Sequence, residues 1–379
     1  MSTRIYTLPV EQTGWRVPGG AATAFSWEYD EGRDRLLTLY EKGKTRQWNA
    51  SERIDWAQPV DKDDPLRVPD ESISIYGSRT WERLGPRERA QVRLHMASWE
   101  FSQFLHGEQG ALICASKIVQ TVPDLDSKFY AATQVMDEAR HVEAYSRYLR
   151  EKLELAYPID PHLQALLSDV VGDSRWDMTY LGMQVLIEGL ALAAFGVIRD
   201  MAGDPLGRAI NAFVMQDEAR HVAFGRLALR DLYPQLTQAE RDEREEFCVE
   251  ACYLMRDRFT GEEIWRTLDF DADECVEYVE KSETFHQFRG MLFSRIVPTL
   301  RDIGLFGPKV RGAFAKMGVL GFEQVDVEDL MANDERVASS FDQHRPSGGA
   351  EDRNDAERAK QVEDTIAAGA SAGSGGGAG

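Results

Sequence analysis

A six-residue stretch, Asp-Glu-Ala-Arg-His-Val, occurs twice in this chain, at 137–142 and again 80 residues on at 217–222. Each copy puts a Glu and a His at the i, i+3 spacing that places both on one helical face. A face of that kind is suited to holding a metal. The same interval separates Glu108 from Glu188, and each opens a Glu-x-x-Ala-Leu pattern ending at Leu112 or Leu192. Each half therefore supplies a Glu, a gap of 30 residues, and then Glu-x-x-His. Midway in each gap stand helix breakers, Pro123 in the first half and Gly203-Asp204-Pro205 in the second. In an antiparallel helical hairpin, residues equidistant from the turn share a height, here ~22 Å from it at ~1.5 Å per residue. Two such hairpins packed together form a four-helix bundle with Glu108, Glu138, His141, Glu188, Glu218 and His221 converging at its centre.

The rest of the chain is organised around that bundle. Residues 1–85 carry Gly and Pro punctuation and read as an irregular N-terminal arm with short helices, one near 30–42. From Pro86 the periodicity turns helical, with helices expected at 86–121, 125–155, 175–202 and 205–232 and a short one at 161–171. Residues 86–235 form the bundle, and 236–340 add further helices to the same domain, including a long one at 237–268. The remainder, 341–379, is a low-complexity tail expected to be disordered. The run from Arg241 to Glu246 reads as a solvated helix face. Residues 178–198 are apolar enough to span a bilayer, but Glu188 at their middle is as costly in lipid as in an uncompensated core. A buried helix with one polar task is expected.

A net charge of −20 over 379 residues leaves no basic stripe for nucleic acid and disfavours an anionic membrane surface. Four cysteines in neither a disulfide framework nor a CxxC pair suit core thiols in a reducing cytoplasm. The chain shows no signal peptide, no Gly-rich dinucleotide fingerprint and no cysteine set for an iron–sulfur cluster.

The paired Glu and Glu-x-x-His pattern resembles the ferritin-like, carboxylate-bridged di-iron superfamily, in its ribonucleotide-reductase-small-subunit-like and di-iron oxygenase branches. The resemblance covers roughly 86–235. It implies an all-α, ferritin-like four-helix bundle and makes Glu108, Glu138, His141, Glu188, Glu218 and His221 the metal ligands. It also implies that Asp137 accepts a hydrogen bond from His221 and Asp217 from His141, fixing each ring tautomer, with Arg140 and Arg220 balancing the aspartates. Four carboxylates and two imidazoles suit two iron ions, or a manganese/iron pair, better than structural zinc. The implied activity is reductive O2 activation, with O2 as co-substrate, a small and apolar or aromatic organic substrate, and an external reductase or ferredoxin as electron donor. A homodimer is compatible with the pattern.

Departures from internal symmetry help to sort the reactions. One turn after each metal His stands Tyr145 in one half and Gly225 in the other. Tyr145 matches the position of the radical tyrosine in ribonucleotide reductase small subunits, but residues 342–379 carry no Tyr or Trp to pass a radical to a partner. Tyr145 is retained as the candidate catalytic residue. Storage ferritins are shorter chains. Arylamine N-oxygenases carry a His where this chain has Val214, which argues against that branch. Small residues (Gly107, Gly110, Ala111, Gly189, Ala191 and Gly225) could leave a cavity walled by Phe104, Leu192, Phe195, Val214 and Met215, and Gly225 is expected to open the substrate side. His95, His106, His162, His286 and His344 lack partners at ligand spacing.

Overall fold

A computed structural model describes residues 20–24 and 33–343. The long helices follow the breakers. Helix α1 (Asp34–Thr45) belongs to the arm. Helix α2 (Pro86–Thr121) starts where Pro86 fills the first helical position and Glu88 accepts the Gly85 N–H at 2.7 Å. It ends at the Val122-Pro123 turn, and α3 (Leu125–Tyr148) begins under Asp124, whose carboxylate accepts the Ser127 N–H. After α4 (Pro161–Gly172) come α5 (Trp176–Met201) and α6 (Pro205–Leu232), the latter capped by Asp204 on the Gly207 N–H at 2.7 Å. Helix α7 (Gln238–Asp257) and shorter helices running to Val327–Gln343 follow. Among the described residues there is no strand.

Helices α2 and α3 pair as one hairpin and α5 and α6 as the other, and α3 packs on α6 to close the bundle. The architecture is an all-α four-helix bundle with added helices; one core runs through the bundle and part of the later helices, and a second buried cluster gathers around Trp81, Trp99 and Trp265. Helix α5 passes the length and hydropathy test for a membrane span, yet 83% of that window is buried in the protein. Its buried carboxylate, Glu188, is 2% exposed. The arm covers the bundle. Helix α1 lies on α3 and α6, and the carbonyls of Leu66 and Arg67 accept the Gly203 N–H at the α5–α6 turn. A Cβ on Gly203 would sit 3.1 Å from the Arg67 carbonyl oxygen, so this close approach needs glycine.

Four expectations need correction. Helix α5 is not uniform: Leu181–Ile187 is a π-turn directly before Glu188, a local irregularity that hydrophobic periodicity cannot reveal. The helix expected at 237–268 breaks at Arg258–Thr260, where Phe259 leaves helical geometry and Gly261 adopts a left-handed φ of 71°. The run 241–246 is not all solvated. Arg244 and Glu245 are buried; Arg244 Nε donates to Asp177, and Glu245 accepts the N–H groups of Lys309 and Val310 at the start of helix Pro308–Met317. Finally, the last helix continues to Gln343, past the boundary expected at 340. The rest of the expected tail lies outside the described residues, as does His344.

Candidate metal centre

The bundle brings all six repeated residues together in its interior, none more than 4% exposed. Potential ligand atoms of Glu108, Glu138, His141 and Glu218 lie within 4.8 Å of one another, as do those of Glu138, Glu188 and His221. Glu138 belongs to both groups. The Nδ1 atom of His141 lies 3.1 Å from Glu108, 3.3 Å from Glu138 and 3.1 Å from Glu218, while that of His221 lies 3.1 Å from Glu138 and 3.5 Å from Glu218. Both imidazoles thus turn the same nitrogen towards the carboxylates.

The opposite nitrogens meet the aspartates in a crossed pattern. His141 Nε2 lies 3.0 Å from Asp217 and His221 Nε2 lies 3.2 Å from Asp137. A proton donated there leaves each Nδ1 lone pair facing the cluster. Arg140 bridges both aspartates at 2.6 and 2.7 Å, and Arg220 pairs with Asp217. The two aspartates and two arginines therefore balance within a layer of their own.

The donor set fits a pair of divalent cations. Buried polar atoms normally find partners, yet Glu138 Oε2, Glu188 Oε2, Glu218 Oε1 and His221 Nδ1 have no hydrogen-bond partner. Without cations the crowding shifts proton affinities. Burial, reinforced by Glu218, holds Glu108 and Glu188 well above the ordinary carboxyl range. Burial pushes Glu138 the same way, but His221 and His141 outweigh it and keep this carboxyl ionised. Against burial, Glu108 and Asp217 raise His141, and Glu138 and Glu218 raise His221. Two divalent ions would match the four carboxylate charges.

Several neighbours were not found by sequence reasoning. Gln134 Nε2 donates to Glu138 and to Glu188, both at 2.9 Å, with Gln184 beside it. Gln134 lies one turn before Glu138, just where Val214 precedes Glu218, so inspecting that position in both halves would have found it. Arm residues also reach the aspartate layer: Gln47 donates to Asp137 at 2.7 Å and the Trp48 indole to Asp217 at 2.9 Å. No repeat marks either residue. Trp48 also lines an open groove of about 870 Å3 outside the bundle. Its size does not make it the reaction site, because none of the six clustered residues lines it.

The two sides of the cluster differ. Gln134 and Gln184 make one side polar. On the other, Phe104, Gly107, Ala111, Ala191 and Phe195 line a narrow cavity bordered by Glu108, Glu188 and Glu218. The cavity is small, about 20 Å3 in volume. A Cβ on Gly107 would meet nothing within 4 Å. Leu192, Val214 and Met215 are not among its walls.

Gly225 does not open this side. A Cβ there would stand 2.5 Å from Gln184 Cβ, and one on Gly110 would stand 2.5 Å from Leu167. These glycines let side chains pack closely; Gly189 is tight too, with Ile296 3.3 Å from a would-be Cβ. Gly225→Leu is therefore expected to destabilise the protein by about 1–3 kcal/mol through overpacking. Thermal unfolding would check it: an unchanged Tm would mean that the glycine faces open space after all.

Tyr145 is fully buried among Phe101, Phe104 and Phe195, with its hydroxyl donating to Asn211 at 3.2 Å. Burial, with Glu108 and Glu218 nearby, holds its phenol protonated. The other described histidines stay outside the cluster. His95 meets the Tyr157 hydroxyl, His106 the Tyr157 carbonyl, His162 lies near Asp160, and His286 contacts Arg289.

Residues 30–304 match the model of the p-aminobenzoate N-oxygenase AurF family. No curated protein matches the chain. Among solved structures, the chain is similar to a protein with aldehyde deformylating oxidase activity from Synechococcus, with 18% identity over 55% of this chain and 94% of that one and a TM-score of 0.39. It is also similar to a variant R2-like ligand-binding oxidase with an aerobically reconstituted Mn/Fe cofactor, with 16% identity over 82% and 98% of the two chains and a TM-score of 0.41. The family match corrects the expectation drawn from Val214, since the absence of a His there does not place this chain outside the N-oxygenase family.

Proposed function

The chain belongs to the p-aminobenzoate N-oxygenase AurF family, and we propose that its chemistry is centred on Glu108, Glu138, His141, Glu188, Glu218 and His221. The protein is an O2-dependent di-iron oxidoreductase of monooxygenase type acting on a small organic molecule. The observation that carries the site assignment is the convergence of these buried groups within ligand distance of one another. They would hold two iron ions, or manganese and iron, which supply reductive activation of O2 when bound.

The protein's own residues have separable tasks. Asp217 and Asp137 hold the imidazole protons at Nε2 and thereby present Nδ1 to the cluster. Arg140 and Arg220 pair with those aspartates and hold them in place. Gln134 orients one oxygen each of Glu138 and Glu188. Phe104 and Phe195 exclude water from the open side and provide an apolar wall for substrate.

Electrons are proposed to come from a separate reductase or ferredoxin, because the four cysteines are free and buried and offer no cluster of their own. The same thiols suit a reducing cytoplasm. A homodimer belongs to this reading as well.

The reaction class is tested by reducing and loading the protein anaerobically, adding 18O2 with arylamine and other aromatic candidates, and analysing products by mass spectrometry. A product carrying one labelled oxygen is expected; oxidation without incorporation would overturn the monooxygenase reading. Tyr145 is proposed as the oxidisable side chain of the site. Oxygen added without substrate is then expected to give a tyrosyl radical signal that Tyr145→Phe removes. If the wild type gives no such signal, Tyr145 is a core side chain.

A further inference from the structure

On the polar side of the cluster, aromatic side chains form an unbroken stack that runs outward. Tyr130 stands four residues before Gln134 in α3, Tyr180 four residues before Gln184 in α5, and Phe224 three residues after His221 in α6. Their rings meet. Tyr130 and Phe224 lie 4.4 Å apart between centroids, Phe224 and Tyr180 4.9 Å, and Tyr180 and Trp176 5.6 Å, all contact distances for tilted or edge-on rings. The charges that act on the Tyr130 phenol are those of His221, Arg220, Asp137 and Glu188, which puts this ring beside the proposed centre. The outer end is different. Tyr130, Tyr180 and Phe224 are fully buried, whereas Trp176 is half-buried, and its indole N–H has no protein acceptor yet is not enclosed. The positions 80 residues away in the other half of the repeat, matching Tyr130, Tyr180, Phe224 and Trp176 in turn, are Ile210, Glu100, Ala144 and Met96. The repeat therefore carries this column on one side only.

We propose that Tyr130, Phe224, Tyr180 and Trp176 form an escape route for oxidising equivalents, through which a thiol in solution returns the loaded centre to rest when O2 has been activated with no substrate in the cavity. The inference rests on the proposed di-metal centre and adds a protective activity to it. Phenol and indole rings lose an electron far more readily than they gain one, so the column conducts only when the centre is strongly oxidising. Tyr130 gives one electron to the oxidised centre, Tyr180 restores Tyr130 across the Phe224 ring, and Trp176 restores Tyr180. Phe224 itself is not oxidised. Neither buried hydroxyl has a carboxylate or imidazole partner to take its proton, so the hole is not held at either phenol. It comes to rest on Trp176, whose indole nitrogen can lose its proton to water and leave a neutral radical. One thiol then returns an electron and a proton to Trp176, and the thiyl radicals of two passages couple to a disulfide. Each passage moves one electron from a thiol to the centre. Tyr145, packed on Phe104 and Phe195 at the cavity, lies off this column.

The test uses the full chain, made with ordinary or ring-deuterated tryptophan, loaded anaerobically with ferrous iron and mixed with O2 in the absence of substrate and thiol. Samples frozen at intervals are read by electron paramagnetic resonance, and metal content is determined on the same preparations. The wild type is expected to give a radical signal that narrows with deuterated tryptophan and disappears when dithiothreitol is added. That signal should be lost in Trp176→Phe and in Tyr180→Phe, with metal content unchanged. Over repeated cycles of reduction and reoxidation without substrate, peptide mass spectrometry should find more oxidised side chains in the bundle interior of Trp176→Phe than of the wild type. A Trp176 that only packs would move neither readout. No tryptophan radical in the wild type, or the same radical in Trp176→Phe, would overturn the route. Should Tyr180→Phe fail to fold, Trp176→Phe, at a half-buried position, still decides. A missing signal with two metals bound defeats the route and leaves the proposed centre standing, whereas a wild type without metal defeats the centre itself.

Discussion

Glu138→Ala is expected to leave the protein folded but unable to hold two metal ions. Glu138 is shared by both candidate ligand groups and lies against both imidazoles, 3.3 Å from His141 Nδ1 and 3.1 Å from His221 Nδ1. Its removal takes an oxygen donor from each metal position, whereas Glu188→Ala leaves Glu108, Glu138, His141 and Glu218 intact. The pair should therefore differ, with fewer than one ion per chain in Glu138→Ala and about one in Glu188→Ala, and with turnover abolished in both. Folding should survive at a lower Tm of the metal-free protein, because Glu138 faces both imidazoles and its removal breaks a buried charge pair from one side, while Glu218 stays 3.1 Å from His141 Nδ1 and 3.5 Å from His221 Nδ1. Metal analysis with circular dichroism checks this directly. Equal metal content in wild type and Glu138→Ala would remove Glu138 from the site.

The second large effect is expected at Asp217→Asn. Asp217 accepts from His141 Nε2 and the Trp48 indole and pairs with both Arg140 and Arg220, all while completely buried. An amide at this position cannot match two guanidinium charges. Breaking a buried ion pair from one side costs about 3–5 kcal/mol, and losing the partner that orients a metal-ligating His costs about 10- to 100-fold in metal affinity. Both changes are expected, read as a lower Tm of the metal-free protein and a weaker ferrous titration. The Tm separates this role from a purely electronic one. If Asp217 only tuned the imidazole, the metal-free protein would unfold at the wild-type temperature.

The bundle and the six clustered residues could be read from the chain because each half repeats the other. A Glu, a breaker and Glu-x-x-His at matching distances fix both a helical hairpin and a height within it. Residues without a repeated counterpart were harder to see. Trp48 and Gln47 reach the aspartates from a helix-poor arm, and nothing in local sequence gives such a long-range partner. The π-turn at Leu181–Ile187 alters α5 without changing its apolar pattern. Gly225 was misjudged for a related reason. An isolated glycine shows that a side chain is missing, not what fills its place, and here Gln184 fills it. The true asymmetry is between Gln134 and Gln184 on one side of the cluster and Phe104 with the cavity on the other. Val214 occupies the position in α6 that Gln134 holds in α3, and Phe104 the position in α2 that Gln184 holds in α5, so comparison of all four helices carries the signal that Tyr145 and Gly225 alone did not.

The most direct measurement is an anaerobic ferrous titration of the metal-free protein followed by removal of free iron and metal analysis. Two ions retained per wild-type chain, and fewer than one in Glu138→Ala, is the predicted result. One ion or none in the wild type, or two ions retained without Glu138, would contradict a di-metal centre built from these six residues.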